Sequence, residues 1–317
     1  MKILIAYDGS ESVETGIDGL QRAGLPTEAD ALVVSVAEVW LPPPPNPDGL
    51  DDTFPLQIPP GLERAREHAA GILEQANELA ERGTKLVQRS FPGWTVGHRV
   101  QNGSPGFELL NCASDWQPDL IVVGSQGRTA IGRFVLGSVS QKVLTEASTS
   151  VRIARRTTGV GASAERIVVG IDGSPGSQAA IQAVAMRRWT PGSEVRVVVA
   201  EDLMKAFPVS LLIPPVNEFV EEMNDDEHTQ AREIVEKGVA DLRAGFEGKN
   251  VTVSSLIDGG DPKQVLVRRA EEFGADSIFT GATGFSNRLE RFVLGSVSAA
   301  VAARARCSVE VVREVKR

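Results

Sequence analysis

The chain has 317 residues, 42% hydrophobic and 24% charged, enough for two domains with ordinary cores and too apolar for wholesale disorder. Its 33 Lys and Arg against 42 Asp and Glu give a net charge of −9, which argues against a broad nucleic-acid surface. That charge leaves room for a small anionic ligand, because backbone N–H groups bind phosphate without net positive charge.

Lys2–Tyr7 is an apolar run of the kind a strand buried on both faces requires. It is too short for the apolar segment of a leader, and no run in the chain approaches the ~18 residues of a membrane span. The expected location is the cytoplasm, with no membrane partner. A helix follows over about 12–22, then a strand at Ala31–Ala37. From Leu62 apolar residues recur at 62, 65, 69, 72, 73, 76, 79 and 80, the spacing of a helix. Thr95–Val100 reads as the third strand, with a helix opening near Pro105, a good first-turn residue. Leu120–Val123 is the fourth strand, a helix runs over about 138–146, and Ser150–Ala154 is the fifth strand.

The second half repeats the first. The octamer at 133–140, Arg-Phe-Val-Leu-Gly-Ser-Val-Ser, recurs unchanged at 291–298. Ile5-Ala-Tyr-Asp-Gly-Ser10 answers to Val169-Gly-Ile-Asp-Gly-Ser174, and Gly103-Ser-Pro105 to Gly260-Asp-Pro262. Matches at similar separations along the whole chain mean a duplicated domain. The expected domains are 1–156 and 165–317, with a Gly-rich seam between them. Strands of the second half fall near 166–171, 194–200, 250–257, 276–280 and 308–312, and a long helix near 226–245. Strands alternating with helices predict an α/β fold with two tandem, doubly wound, five-stranded parallel sheets. In the flavodoxin-like order 3-2-1-4-5, ligands bind beyond the carboxyl ends of the strands at the topological switch point.

The strongest chemical signal follows the fourth strand: Gly124-Ser-Gln-Gly127, nine residues, then Gly137-Ser138. Glycines there let the main chain turn and approach a ligand, and the helix opening at Gly137-Ser138 favours a phosphate through its first N–H groups and its dipole. The Ser138 hydroxyl either donates to that phosphate or caps the helix, and the plainer alternative for the whole segment is a glycine turn before a capped helix. Asp8-Gly9-Ser10 offers a carboxylate able to accept from an adenine amino group, or simply an Asx turn into the next helix. Strands one and four flank the switch point, which would put Asp8 and Gly124 in one crevice.

These motifs make each half resemble a universal stress protein (UspA-type) domain. The resemblance implies ATP as the ligand, with or without Mg2+, and a stress-response role as a regulatory or interaction module with an unidentified protein partner. It implies that Asp8, with Ala6 and Tyr7 beside it, and the main chain at Val36 contact adenine. Gly124, Gln126 and Gly127 would line the ribose and phosphates, and Gly137, Ser138, Val139 and Ser140 would hold the phosphates. In the second half the same roles fall on Asp172, Ala200, Gly281, Thr283, Gly284, Gly295, Ser296, Val297 and Ser298. There the spacing departs from the family pattern, with ten residues instead of nine between Gly284 and Gly295. The resemblance also implies that the fifth strands, Val151-Arg-Ile153 and Val309-Glu-Val311, pair between the halves, an intrachain pseudo-dimer that leaves further homodimerisation open.

Absences narrow the chemistry. There is no Walker lysine motif, nucleophile elbow, kinase signature or HExxH, and nothing supplies a positioned general base, so no catalytic residue is assigned. A slow ATPase or phosphotransferase, and a nucleotide-free scaffold binding partners through its Pro-rich segments 41–47 and 207–215, stand as alternatives. Cys112 and Cys307 read as small buried hydrophobes, and His68, His98 and His228 sit in no metal-ligand spacing.

Overall fold

The computed structural model describes residues 1–39, 60–126, 136–155, 163–201, 217–284 and 294–314, with backbone alone for 60–63 and 217–227. The first repeat comprises β1 (Lys2–Ala6), α1 (Glu11–Gly19), β2 (Asp30–Ala37), α2 (Pro60–Ser90), β3 (Thr95–Asn102), α3 (Pro105–Trp116), β4 (Leu120–Gly124), α4 (Ser138–Glu146) and β5 (Ser150–Ala154). The second comprises β6 (Arg166–Gly170), α5 (Pro175–Ala185), β7 (Ser193–Glu201), α6 (Asn217–Gly245), β8 (Val251–Gly259), α7 (Pro262–Phe273), β9 (Ser277–Gly281), α8 (Ser296–Arg304) and β10 (Ser308–Val312).

The ten strands of the described residues form one sheet in the order β3-β2-β1-β4-β5-β10-β9-β6-β7-β8. Each half therefore has the expected 3-2-1-4-5 order. Every pairing is parallel except the one between β5 and β10, where Val151, Arg152 and Ile153 face Val311, Glu310 and Val309. Strand direction reverses across that seam. The fifth strands pair as expected, but their alternation of apolar and charged residues does not mark a solvent face. Arg152 and Glu310 are each 1% exposed and face each other.

The helices lie in two layers because consecutive crossovers share one hand. On one face α3, α4, α7 and α8 cover a single core spanning both repeats, with Leu109, Leu144, Leu266 and Val301 packed on Ile121, Val151, Ile278 and Val309. On the other face the core is divided. Ile17 and Val87 pack on Ile3 and Ile5 in the first repeat, and Ile181 and Val235 on Val169 and Phe279 in the second. Between these two cores lies the charged cluster of Arg152, Glu310 and Arg187. A second ion pair, Arg22 to Asp276 at 2.8 Å, pins the end of the 3-10 turn after α1 to the second repeat.

Local sequence explains how the strands hand over to helices. Ser10 caps α1 by accepting from the Val13 N–H, and Ser174 caps α5 by accepting from Ser177. Gly9 (φ 72°) and Gly173 (φ 78°) supply the left-handed residue between strand and cap. The long helices sit close to the first strand of each repeat because each has a glycine at the crossing. A Cβ on Gly83 would fall 2.8 Å from the Tyr7 ring, and one on Gly238 would fall 2.9 Å from Ile171.

Candidate functional site

The carboxyl ends of β1, β2 and β4 open onto a crevice of about 640 Å3. Asp8 follows β1, Val36 lies near the end of β2, Gly124 ends β4, and α4 begins at Ser138. Ten of the residues expected from sequence line it: Ala6, Tyr7, Asp8, Val36, Gly124, Gln126, Gly137, Ser138, Val139 and Ser140. Gly127 lies outside the described residues, as do the Pro-rich segments 41–47 and 207–215.

The structure decides between the two readings of Ser138. Ser138 is exposed and is not a cap; Gly137 holds the cap position, with no side-chain hydrogen bond to the helix. The Gly137 N–H donates to the Ser125 carbonyl at 3.0 Å, so it closes the loop. The Ser140 hydroxyl is buried and donates to the Gly124 carbonyl at 2.6 Å, tying the start of α4 to the end of β4. What lines the crevice at this end is therefore the first turn itself. The N–H groups of Ser138, Val139 and Ser140 precede the first helical bond, from Gln141 N–H to Gly137 O, and the Ser138 hydroxyl lies beside them. Asp8 forms the Asx turn, its Oδ1 accepting from the Ser10 N–H at 2.9 Å, and also lines the crevice. The turn and the ligand-facing reading are thus compatible.

Residues not singled out from sequence complete the walls. Ile72, Ala76 and Leu79 of α2 give an apolar side, and Pro105 and Leu109 of α3 the opposite one. The three α2 residues belong to the helical stripe that sequence periodicity shows, but that stripe does not say which part meets the sheet and which meets the crevice. Glu38 adds a second carboxylate and Gln75 an amide. The floor at Tyr7 is held from behind: its hydroxyl donates to Glu14 at 2.7 Å and accepts from Arg82 Nε at 3.0 Å. Burial and the bond to Glu14 push the Tyr7 phenol up to about 12.

The second repeat reproduces the loop. The Gly295 N–H donates to the Ala282 carbonyl at 2.7 Å and the Ser298 hydroxyl to the Gly281 carbonyl at 2.5 Å. Gly295 caps α8, so Ser296, Val297 and Ser298 form its first turn. Asp172 accepts from Ser174 N–H at 3.0 Å, and Thr283 accepts from the Ser174 hydroxyl at 3.4 Å. A Cβ on Gly284 would stand 2.8 Å from Asp172 Oδ2, so the strand-one carboxylate and the glycine loop converge here. Ala200 lies in β7 one residue before Glu201, which pairs with His228 Nδ1 of α6 at 2.6 Å. In the first repeat Ala37 occupies the register of Glu201, each accepting an N–H from a glycine after the next strand. The extra residue between Gly284 and Gly295 lies outside the described residues. Among the described residues no group of three His, Cys, Asp or Glu is placed to hold a metal ion, and no helix is long and apolar enough to cross a membrane.

Fold and site together define a tandem pair of doubly wound α/β domains, each with a glycine loop and a helix start at the switch point of its sheet. The family model described as "Universal stress protein family" matches residues 1–155 and again 164–313. The chain belongs to the universal stress protein family, as a member with two domains in tandem. It is 28% identical over 159 residues to universal stress protein YxiE of Bacillus subtilis, which covers 49% of this chain and 98% of the relative. It is 26% identical over 267 residues to a universal stress protein of Mycolicibacterium smegmatis, covering 80% of this chain and 79% of the other. In fold it is similar to a universal stress protein from Archaeoglobus fulgidus, with a TM-score of 0.60 at 20% identity and coverage of 98% of both chains.

Proposed function

We propose that the first-repeat crevice binds an adenine nucleotide, ATP foremost, and that occupancy biases a surface read by a protein partner in the cytoplasm. The reading rests on one observation: a single crevice of about 640 Å3 has an open helix start at Ser138–Ser140 and a carboxylate, Asp8, on its wall. The helix start suits a polyphosphate, since its N–H groups and dipole act without a lysine. Asp8 suits the exocyclic amino group of the base, and the apolar side at Ile72, Ala76 and Leu79 suits the ring. With Mg2+, the metal would offset phosphate charge near the carboxylates. The reading assigns no catalytic step to any residue, and it takes 1–156 and 165–317 as the two functional units.

The test is to denature the purified protein, chromatograph what it releases, and titrate the nucleotide-free chain with ATP and Mg2+ by calorimetry. An adenine nucleotide is expected, with saturable binding that Gly137→Val removes from the first repeat. No released nucleotide and no heat of binding at millimolar ATP would overturn the reading.

A further inference from the structure

Helix α4 is held at both ends, and its far end is held by the other repeat. Arg313, just past β10, donates Nη2 to the Leu144 carbonyl at 2.7 Å and Nη1 to the Thr149 carbonyl at 3.3 Å. Leu144 lies in the last turn of α4, where carbonyls have no helical donor. The repeat reciprocates: Arg155, just past β5, donates to the Ala302 carbonyl in the last turn of α8 and to the Cys307 carbonyl at 3.4 Å. The main chain repeats the exchange, Arg313 N–H to Ser150 Oγ and Arg155 N–H to Ser308 Oγ, each at 3.1 Å.

Among the described residues neither arginine is ion-paired to a carboxylate. Among the described residues, the hydrogen bonds of both guanidinium groups run to main-chain carbonyls. Burial draws each down to about 10, which leaves both charged at neutral pH. A buried cation at a helix carboxyl end complements the dipole there. α4 has no basic residue in its own last turn, whereas α8 has Arg304, so α4 depends on the other repeat for that charge. The nine-residue helix acts as a short strut, tied to β4 through Ser140 and Gly124 and to β10 through Arg313.

We infer that Arg313, supplied by the second repeat, is a positioning residue for the anion-binding end of the first-repeat crevice, acting through α4. The inference rests on the nucleotide reading for its ligand but not for its geometry. If it holds, the first crevice is complete only when the second repeat is docked on it.

The test is hydrogen exchange of the full-length protein across an ATP titration, read on the α4 peptide, for wild type, Arg313→Met, Arg313→Lys and Arg22→Met. Arg22→Met removes a different buried arginine between the repeats, one bonded to Asp276, Ser163 and Ala164. In Arg313→Met, basal exchange of the α4 amides is expected to rise, and the ATP concentration for half-protection to rise about fivefold. Arg313→Lys restores much of both, and Arg22→Met lowers the melting temperature while changing neither. Wild-type values in Arg313→Met, or the same changes in Arg22→Met, would overturn the inference. Failure of wild type to gain protection with ATP would instead overturn the nucleotide reading, and basal exchange would still decide whether Arg313 holds α4.

Discussion

Arg152 and Glu310 stand opposite each other in the one antiparallel pair of the sheet, Nη1 to Oε2 at 3.2 Å, each 1% exposed. Arg187 reaches the other carboxylate oxygen from the end of α5 and donates to the Ala23 carbonyl at 3.1 Å. One carboxylate thus serves two buried cations, one from each repeat. Glu310→Gln leaves both uncompensated and is expected to cost about 3–5 kcal/mol, measured by denaturant unfolding. The triple variant Arg152→Met, Glu310→Leu, Arg187→Met is expected to recover wild-type stability, since it removes the desolvation penalty together with the pair.

The chain has one tyrosine, so phenolate absorbance reports Tyr7 alone. Burial and the bond to Glu14 hold it at about 12, against an ordinary value near 10. The folded phenol is the stronger proton binder. Its contribution is complete below pH ~10 and is lost as pH rises from there towards 12. Alkaline titration of the native protein is expected to show no phenolate at pH ~10.5, whereas the denatured chain shows about half or more.

Asp258, near the end of β8, is held at about 2 by Arg269 Nε at 2.7 Å and Arg268 Nη2 at 2.6 Å. A lowered carboxylate stabilises the fold above its unfolded pKa and loses that contribution as pH falls through the folded one. The stability gap between wild type and Asp258→Asn is expected to be flat above pH ~5 and to close between about 4 and 2. Solvent around the half-exposed Arg268 screens the pair, so the gap is about 1 kcal/mol.

Two glycines of α2 are predicted to behave oppositely. Gly71 is exposed within the helix and a Cβ there meets nothing within 4 Å, so Gly71→Ala stabilises by about 0.5–1 kcal/mol through backbone entropy. Gly83 packs on Tyr7, and Gly83→Ala displaces the ring and costs about 1–3 kcal/mol. Thermal melts of the two single variants check the sign.

The duplication, the strand order and most of the crevice are legible in the sequence because buried parallel strands read as apolar runs and glycine loops recur at matched places. Three features are not. The alternation in Val151-Arg-Ile153 is the same whether Arg152 meets water or the other repeat, and only the pairing partner decides. Serine spacing cannot say that Ser140 serves the Gly124 carbonyl while Ser138 faces the crevice, because that depends on which face the first turn of α4 presents. The reach of Arg313 to Leu144 spans the whole chain between repeats, and no local pattern encodes it.

The reversal of strand direction between β5 and β10 also sets which rim the loop end of each repeat faces. Carboxyl ends of the two halves point to opposite rims of the ten-stranded sheet, so the first-repeat crevice and the helix start at Ser296 lie at opposite rims. On the proposed nucleotide reading, a protein that covered the rim of the first-repeat crevice would leave the opposite rim, with the helix start at Ser296, uncovered.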